Sequence, residues 1–256
     1  MPIIAAAAPW DGLGALAITL LVAAALCSGL AKGGFSGFGV LATVLIANVF
    51  PAKESTGILL PMLILADIVA VCIFRYHANF SIVWKILPPA VIGIVIGWLI
   101  MPRVNGVAFS HMLGWMIIGM LGIVCLRRAW PRFIESIAMH HGFSWSLGTL
   151  AGITTMISNA AGPVMGVYLL ARRIAKMEIV GISAWFFFIV NILKVPFSVQ
   201  LGLFTGQSLY LTLVLAPVLV GGVFLGRWCL RFISQNVFEW LLVAFSLIGA
   251  LRLVLV

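Results

Sequence analysis

Charge is what this sequence has least of. Only 8% of its 256 residues are charged, six of them acidic, while 64% are hydrophobic. A soluble domain carries about 25% charged and about 45–50% apolar residues, so a water-facing surface of ordinary composition is excluded. The uncharged runs are long: Leu13–Ala31, Gly33–Ala52, Ile86–Pro102, Val104–Leu126, Gly142–Ala171 and Val195–Gly226. A helix needs about 20 mostly apolar residues to cross the hydrocarbon core. The period-2 alternation of barrel strands is missing too, which leaves helices as the spanning element. The sequence therefore predicts an all-α polytopic membrane protein.

Other absences narrow the function. The four cysteines (Cys27, Cys72, Cys125, Cys229) lie far apart in apolar segments and form no CxxC pair, so they read as small buried hydrophobes. The only adjacent histidines, His140 and His141, fall in a polar stretch, and the six acids are scattered. No convergent carboxylates, Ser-His pair or ligand cluster supports an intramembrane enzyme, and no metal or cofactor is expected. The opening MPIIAAAAPWDG has no positive n-region, so a cleaved signal peptide is not expected. A net charge of +9 would suggest nucleic acid in a soluble protein. Here the cations sit in short connections, where they set membrane orientation, and no nucleic-acid partner is expected.

What is present divides into ten hydrophobic segments, near 12–32, 37–50, 56–75, 82–101, 107–126, 143–157, 160–172, 179–200, 208–226 and 236–255. The second and seventh are too short to span comfortably, which suggests re-entrant hairpins. Odd-numbered connections hold eleven of the fifteen Lys and Arg residues, against four on the other side, with Lys194 placed there only loosely. This excess puts the odd connections in the cytoplasm and both termini outside.

The halves look alike. Setting Ser28–Gly29 over Ala151–Gly152 superposes GGFSGFG (33–39) on SNAAGP (158–163) and Lys53 on Lys176; one residue further, Asp67 falls on Asn191. PPAVIGIVIG then matches APVLVGGVFLG, with Gly93 over Gly222, Gly97 over Gly226 and, beyond them, Phe109 over Phe238. Five segments per half make the repeat inverted, as in many secondary transporters. The expected division is a first transmembrane repeat, 1–126, a cytoplasmic linker, 127–142, and a second repeat, 143–256.

Both glycine-rich stretches interrupt helices. Glycine costs a helix about 1 kcal/mol relative to alanine, and unsatisfied backbone in lipid costs several kcal/mol per group. Such breaks belong where protein or a water-filled cavity receives the freed groups. A helix that restarts there offers first-turn N–H groups and a positive dipole end, an anion-binding surface. The candidate substrate residues are Lys32, Gly33, Gly34, Phe35, Ser36, Gly37 and Gly39 from the first break. The second contributes Ser158, Asn159, Ala160 and Gly162, with Pro163 suited to the restarted first turn. The spacings Gly93–Gly97 and Gly222–Gly226 read as helix packing.

Ionisable groups inside such segments usually face a cavity or a partner. Lys194 complements an anion, and Asn191, three residues earlier on nearly the same face, donates to its oxygens. Asp67 either carries a proton or pairs structurally, with Arg75 or Lys194 as the partner. Lys53 with Glu54, and Lys176 with Glu178, sit on matched loops as orientation or gating pairs.

On SGLAKGGFSGFGVL, PAKESTG, PMLILADIVAVCIFRYH, NFSIVWKILPPAVIGIVIG, WFFFIVNILKVPF and APVLVGGVFLG, the chain resembles the TauE/SafE-type sulfite and organosulfonate exporter superfamily over nearly its full length. The family's glycine-rich run is only partly kept. The resemblance implies export of small sulfur-containing anions such as sulfite, sulfonates or sulfoacetate across the bacterial inner membrane, with proton coupling. A non-transporting assembly subunit and an importer of another small anion stay open, as does a homodimer. The breaks argue against a passive subunit, since packing alone has no need of them.

Overall fold

The computed structural model describes residues 14–103, 140–172 and 174–255, with His111, Trp115, Ile118 and Gly122 as isolated positions between the first two stretches. Among the described residues there are nine α-helices: α1 (Ala15–Lys32), α2 (Phe38–Ala47), α3 (Ala52–Phe74), α4 (Phe80–Ile100), α5 (His141–Ser158), α6 (Ala161–Ala171), α7 (Lys176–Gln200), α8 (Gly206–Phe232) and α9 (Gln235–Leu255). The segment expected at 107–126 and most of the 127–142 linker lie outside the described residues, as does the Phe109 match. α3 starts earlier than the hydrophobic run, taking Lys53 and Glu54 into its first turn, and α8 runs on through Arg227 and Arg231.

Among the described residues five helices, α1, α3, α4, α7 and α8, are long and apolar enough to cross a membrane, and α2 and α6 are two short apolar ones. Large apolar side chains cover the outside as well as the core: Trp84, Leu213, Phe224, Trp228 and Phe232 are all exposed. A surface of this kind suits lipid and not water.

Local sequence explains the ends. Pro51 precedes α3, and Asn79 caps α4 by accepting from the Ser81 N–H. Thr205 and Ser208 close a reciprocal capping box at α8. Pro196 lies within α7, which continues to Gln200, so this proline does not end the helix.

Glycine decides the packing. An added Cβ at Gly29 would strike the Leu219 carbonyl and lie 2.8 Å from Gly222 Cα, and one at Gly33 would lie 2.8 Å from Gly226 Cα. An added Cβ at Gly152 would strike the Ala90 carbonyl and lie 2.8 Å from Gly93 Cα, while Gly97 meets Met156. The two GxxxG pairs are therefore packing seams. α1 lies parallel along α8, and α5 parallel along α4, so each seam joins a helix from one half of the sequence to one from the other.

α3 and α7 run antiparallel. Gly57 near the start of α3 abuts Leu203 just beyond α7, and Gly181 near the start of α7 abuts His77 and Ala78 just beyond α3. Midway along, Asp67 meets Asn191.

Candidate functional site

Both sequence stretches break their helices. α1 stops at Lys32; Gly33 N–H still bonds Gly29, Phe35 N–H folds back to the Leu30 carbonyl, and Gly34 at φ 132 turns the chain. That φ is glycine territory, so the bend depends on this residue. α5 stops at Ser158, where Asn159 adopts the left-handed conformation at φ 54, and α6 begins two residues later. Asparagine tolerates this backbone and replaces the usual glycine.

The two breaks touch. An added Cβ at Gly162 would lie 2.8 Å from the Ser36 carbonyl oxygen. Around this contact a cavity of about 50 Å³ opens, against the ~10–15 Å³ that one water requires. Lys32, Gly34, Ser36, Gly39, Asn159, Gly162 and Asn191 line it, together with Thr155 and Ser183. Apolar walls come from Leu63, Ile179, Val180, Ala184, Phe187 and Phe238.

Behind the wall runs a continuous polar chain. Lys32 Nζ stands 2.8 Å from Asp67 Oδ1 and 4.2 Å from the centre of the Phe187 ring. Asn191 Nδ2 donates to Asp67 Oδ2 at 2.6 Å. Lys194 Nζ donates to Asn159 Oδ1 at 2.5 Å, the Thr155 carbonyl at 2.8 Å and Asn191 Oδ1 at 3.3 Å, with Thr155 Oγ1 at 3.1 Å. Asn159 Nδ2 closes the chain on the Thr56 carbonyl at 3.0 Å. Asp67 is 0% and Lys194 2% exposed, and Lys32 9%. Removing one partner from such a buried pair leaves a bare charge, at a cost of about 3–5 kcal/mol.

The placements differ from the sequence expectations in detail. Asp67 pairs with Lys32 and not Arg75, which is exposed and stacks 4.7 Å over Tyr76. Arg75 lies eight positions on, a rise of about 12 Å along the helix. Lys194 does not line the cavity; it is held behind Asn159, Thr155 and Asn191. Gly33, Phe35, Gly37 and Ala160 are buried around the breaks, and the Ser158 hydroxyl donates to the Thr154 carbonyl. The Phe38, Gly39 and Val40 N–H groups already bond Phe35, Ser36 and Gly37, so α2 offers its dipole there and not free donors. Lys176 makes no pair with Glu178; its Nζ donates to the Leu230 and Ile233 carbonyls and pins the α8–α9 corner.

The cavity favours one side. Ile179, Val180, Ser183 and Ala184 from the first half of α7 line it, while the corresponding Ser55, Thr56, Leu59 and Leu60 of α3 do not. Thr155 and Ser183 were not singled out by sequence. Thr155 stands in TTM one turn before the second break, a polar signal inside an apolar run; Ser183 carries no such signal.

Candidate spanning helices around a cavity lined in part by polar side chains define the class: a multi-pass membrane protein. The model of the family described as sulfite exporter TauE/SafE matches residues 21–253, and the chain belongs to that family. That family is one of transporters and points to a membrane transporter of sulfur-containing anions. No curated protein and no solved structure matches the chain.

Proposed function

We propose that the protein exports a small sulfur-containing anion, of the sulfite, sulfonate or sulfoacetate type, across the bacterial inner membrane by alternating access. The contact of the two helix breaks at a cavity holding Lys32, Ser36, Asn159 and Asn191 is the observation that carries this reading. The anion sits on Lys32, with hydroxyl and amide donors around it and the α2 and α6 dipoles aimed at it. Lys194 sets the orientation of Asn159 and Asn191 from behind. Asp67, in contact with Lys32, is the carboxylate at which proton coupling enters.

The alternation rests on an inverted repeat of 1–126 and 143–256 about a cytoplasmic linker. It is supported by the matched seams, Gly29 on Gly222 and Gly152 on Gly93, and by the antiparallel α3 and α7. With the cation-rich connections in the cytoplasm and both termini periplasmic, the first half of α7 is cytoplasmic. The cavity is then inward-facing, and the Asn159–Thr56 bond is its outer lock. Applying the repeat to that lock gives its counterpart, Ser36 against Val180, which closes the inner side when the outer opens.

Purified protein in liposomes tests this. Labelled sulfite or methanesulfonate should move down its gradient, and Lys32→Ala should abolish the flux. Liposomes no more permeable than protein-free ones would refute transport and leave a passive assembly role.

A further inference from the structure

Three ionisable groups meet in and behind the cavity wall, and their contacts suit one set of charges. Asn191 is the key, because its amide faces both ways. Its Nδ2 meets Asp67 Oδ2 at 2.6 Å and its Oδ1 meets Lys194 Nζ at 3.3 Å. This orientation suits a carboxylate on one side and an ammonium on the other. Asp67 then has the Asn191 amide donating to one oxygen and the Lys32 ammonium paired with the other, 2.8 Å away. These are the surroundings of an ionised carboxylate.

Lys194 faces the opposite situation. Asn159 has its Nδ2 committed to the Thr56 carbonyl, which leaves Oδ1 toward Lys194. Three acceptors, that oxygen, Asn191 Oδ1 and the Thr155 carbonyl, surround Nζ. A neutral amine has only two N–H groups; the ammonium has three. With both lysines as cations and Asp67 as the one anion, the buried cluster carries a single uncompensated positive charge. Among the described residues no other charged side chain lines the cavity.

We infer that the site selects its substrate by valence: it takes an anion of one negative charge, and Asp67 is the residue that sets this number. The inference rests on the transport reading and goes beyond it. A monoanion brings the buried cluster to neutrality. A dianion leaves a net negative charge in a low-dielectric site, and its own dehydration is the more costly because that cost rises with the square of the charge. To bind, it must bring a proton or find Asp67 neutral. Lys32 is the cation within reach, since Lys194 is fully occupied by its acceptors.

The test measures binding to detergent-purified full chain at constant ionic strength, with methanesulfonate as the fixed monoanion and sulfate as the fixed dianion. Wild type should bind methanesulfonate at least tenfold more tightly than sulfate. Asp67→Asn raises the cluster from one positive charge to two and should shift that ratio at least tenfold toward sulfate. Lys194→Met lowers it to zero and should weaken methanesulfonate at least tenfold; it reads the same charge count if Asp67→Asn does not fold. Equal or tighter sulfate binding by wild type overturns the valence rule while leaving an anion transporter. An unchanged ratio in folded Asp67→Asn overturns it as well. Binding of neither anion, with no flux in liposomes, removes the transport reading together with it.

Discussion

The glycine seams offer the cleanest numerical test of how this membrane protein is held together. In Gly152→Ala the new methyl would lie 2.8 Å from Gly93 Cα and from Ile94 N, and nearer still to the Ala90 carbonyl. In Gly29→Ala it would lie 2.8 Å from Gly222 Cα and 2.9 Å from Gly222 C. Carbon contacts settle at about 3.5–4.0 Å, so α5 must retreat from α4, or α1 from α8, by roughly 1 Å. The neighbours are backbone atoms and have no rotamer to turn away. Overpacking of this kind costs about 1–3 kcal/mol.

Alanine also helps a helix by up to about 1 kcal/mol, which would blur the effect against wild type. Gly221→Ala removes that ambiguity. It sits mid-helix in α8 with no heavy atom within 4 Å of its added Cβ, so it takes the propensity gain without the clash. Relative to Gly221→Ala, each seam variant should melt lower, by about 2–4 °C per kcal/mol, or roughly 2–12 °C for that overpacking range. Intrinsic fluorescence of the nine tryptophans reads this in detergent. A seam variant melting with or above Gly221→Ala would refute the close approach of these helices. The two seams should also respond alike, because they use corresponding positions.

Three further outcomes follow from the site. In a variant freed of its native cysteines, Ser183→Cys should react with an impermeant maleimide from the cytoplasmic face while Leu59→Cys does not; equal labelling would refute the one-sided cavity. Asn159→Ala removes both a Lys194 acceptor and the bond to the Thr56 carbonyl, at about 1–3 kcal/mol for a buried group left unpaired. It should therefore lower the melting temperature and expose Leu59→Cys to label from the periplasmic face. Lys176→Met unties the α8–α9 corner and should cost about 1–2 kcal/mol in stability, while methanesulfonate binding holds; loss of binding would place the corner in the site.

The breaks were legible because a chain in lipid cannot hide a run such as GGFSGFG among apolar residues. Lys32, Asn159 and Asn191 were legible for the same reason. The partner of Asp67 was not. Arg75 is its nearest cation along the chain, but Lys32 reaches it through the folding of α1 onto α3, which no local spacing encodes. GxxxG spacing marked the seams, yet not that each would join one half of the sequence to the other. Lys194 was legible as a buried cation; that three neutral oxygens would claim it depended on the left-handed turn at Asn159. Phe187, which flanks Lys32, is one of three consecutive phenylalanines and carried no signal of its own.

The crossed seams bear on what can move. α1 is bolted to α8 and α5 to α4 by backbone in direct touch, and sliding along such a joint would drive carbonyl oxygens into Cα atoms. A motion that keeps both joints must carry each broken hairpin together with its borrowed helix from the far end of the chain. The blocks of such a motion are therefore stitched from distant stretches of sequence, and cutting the polypeptide at its middle would sever neither of them.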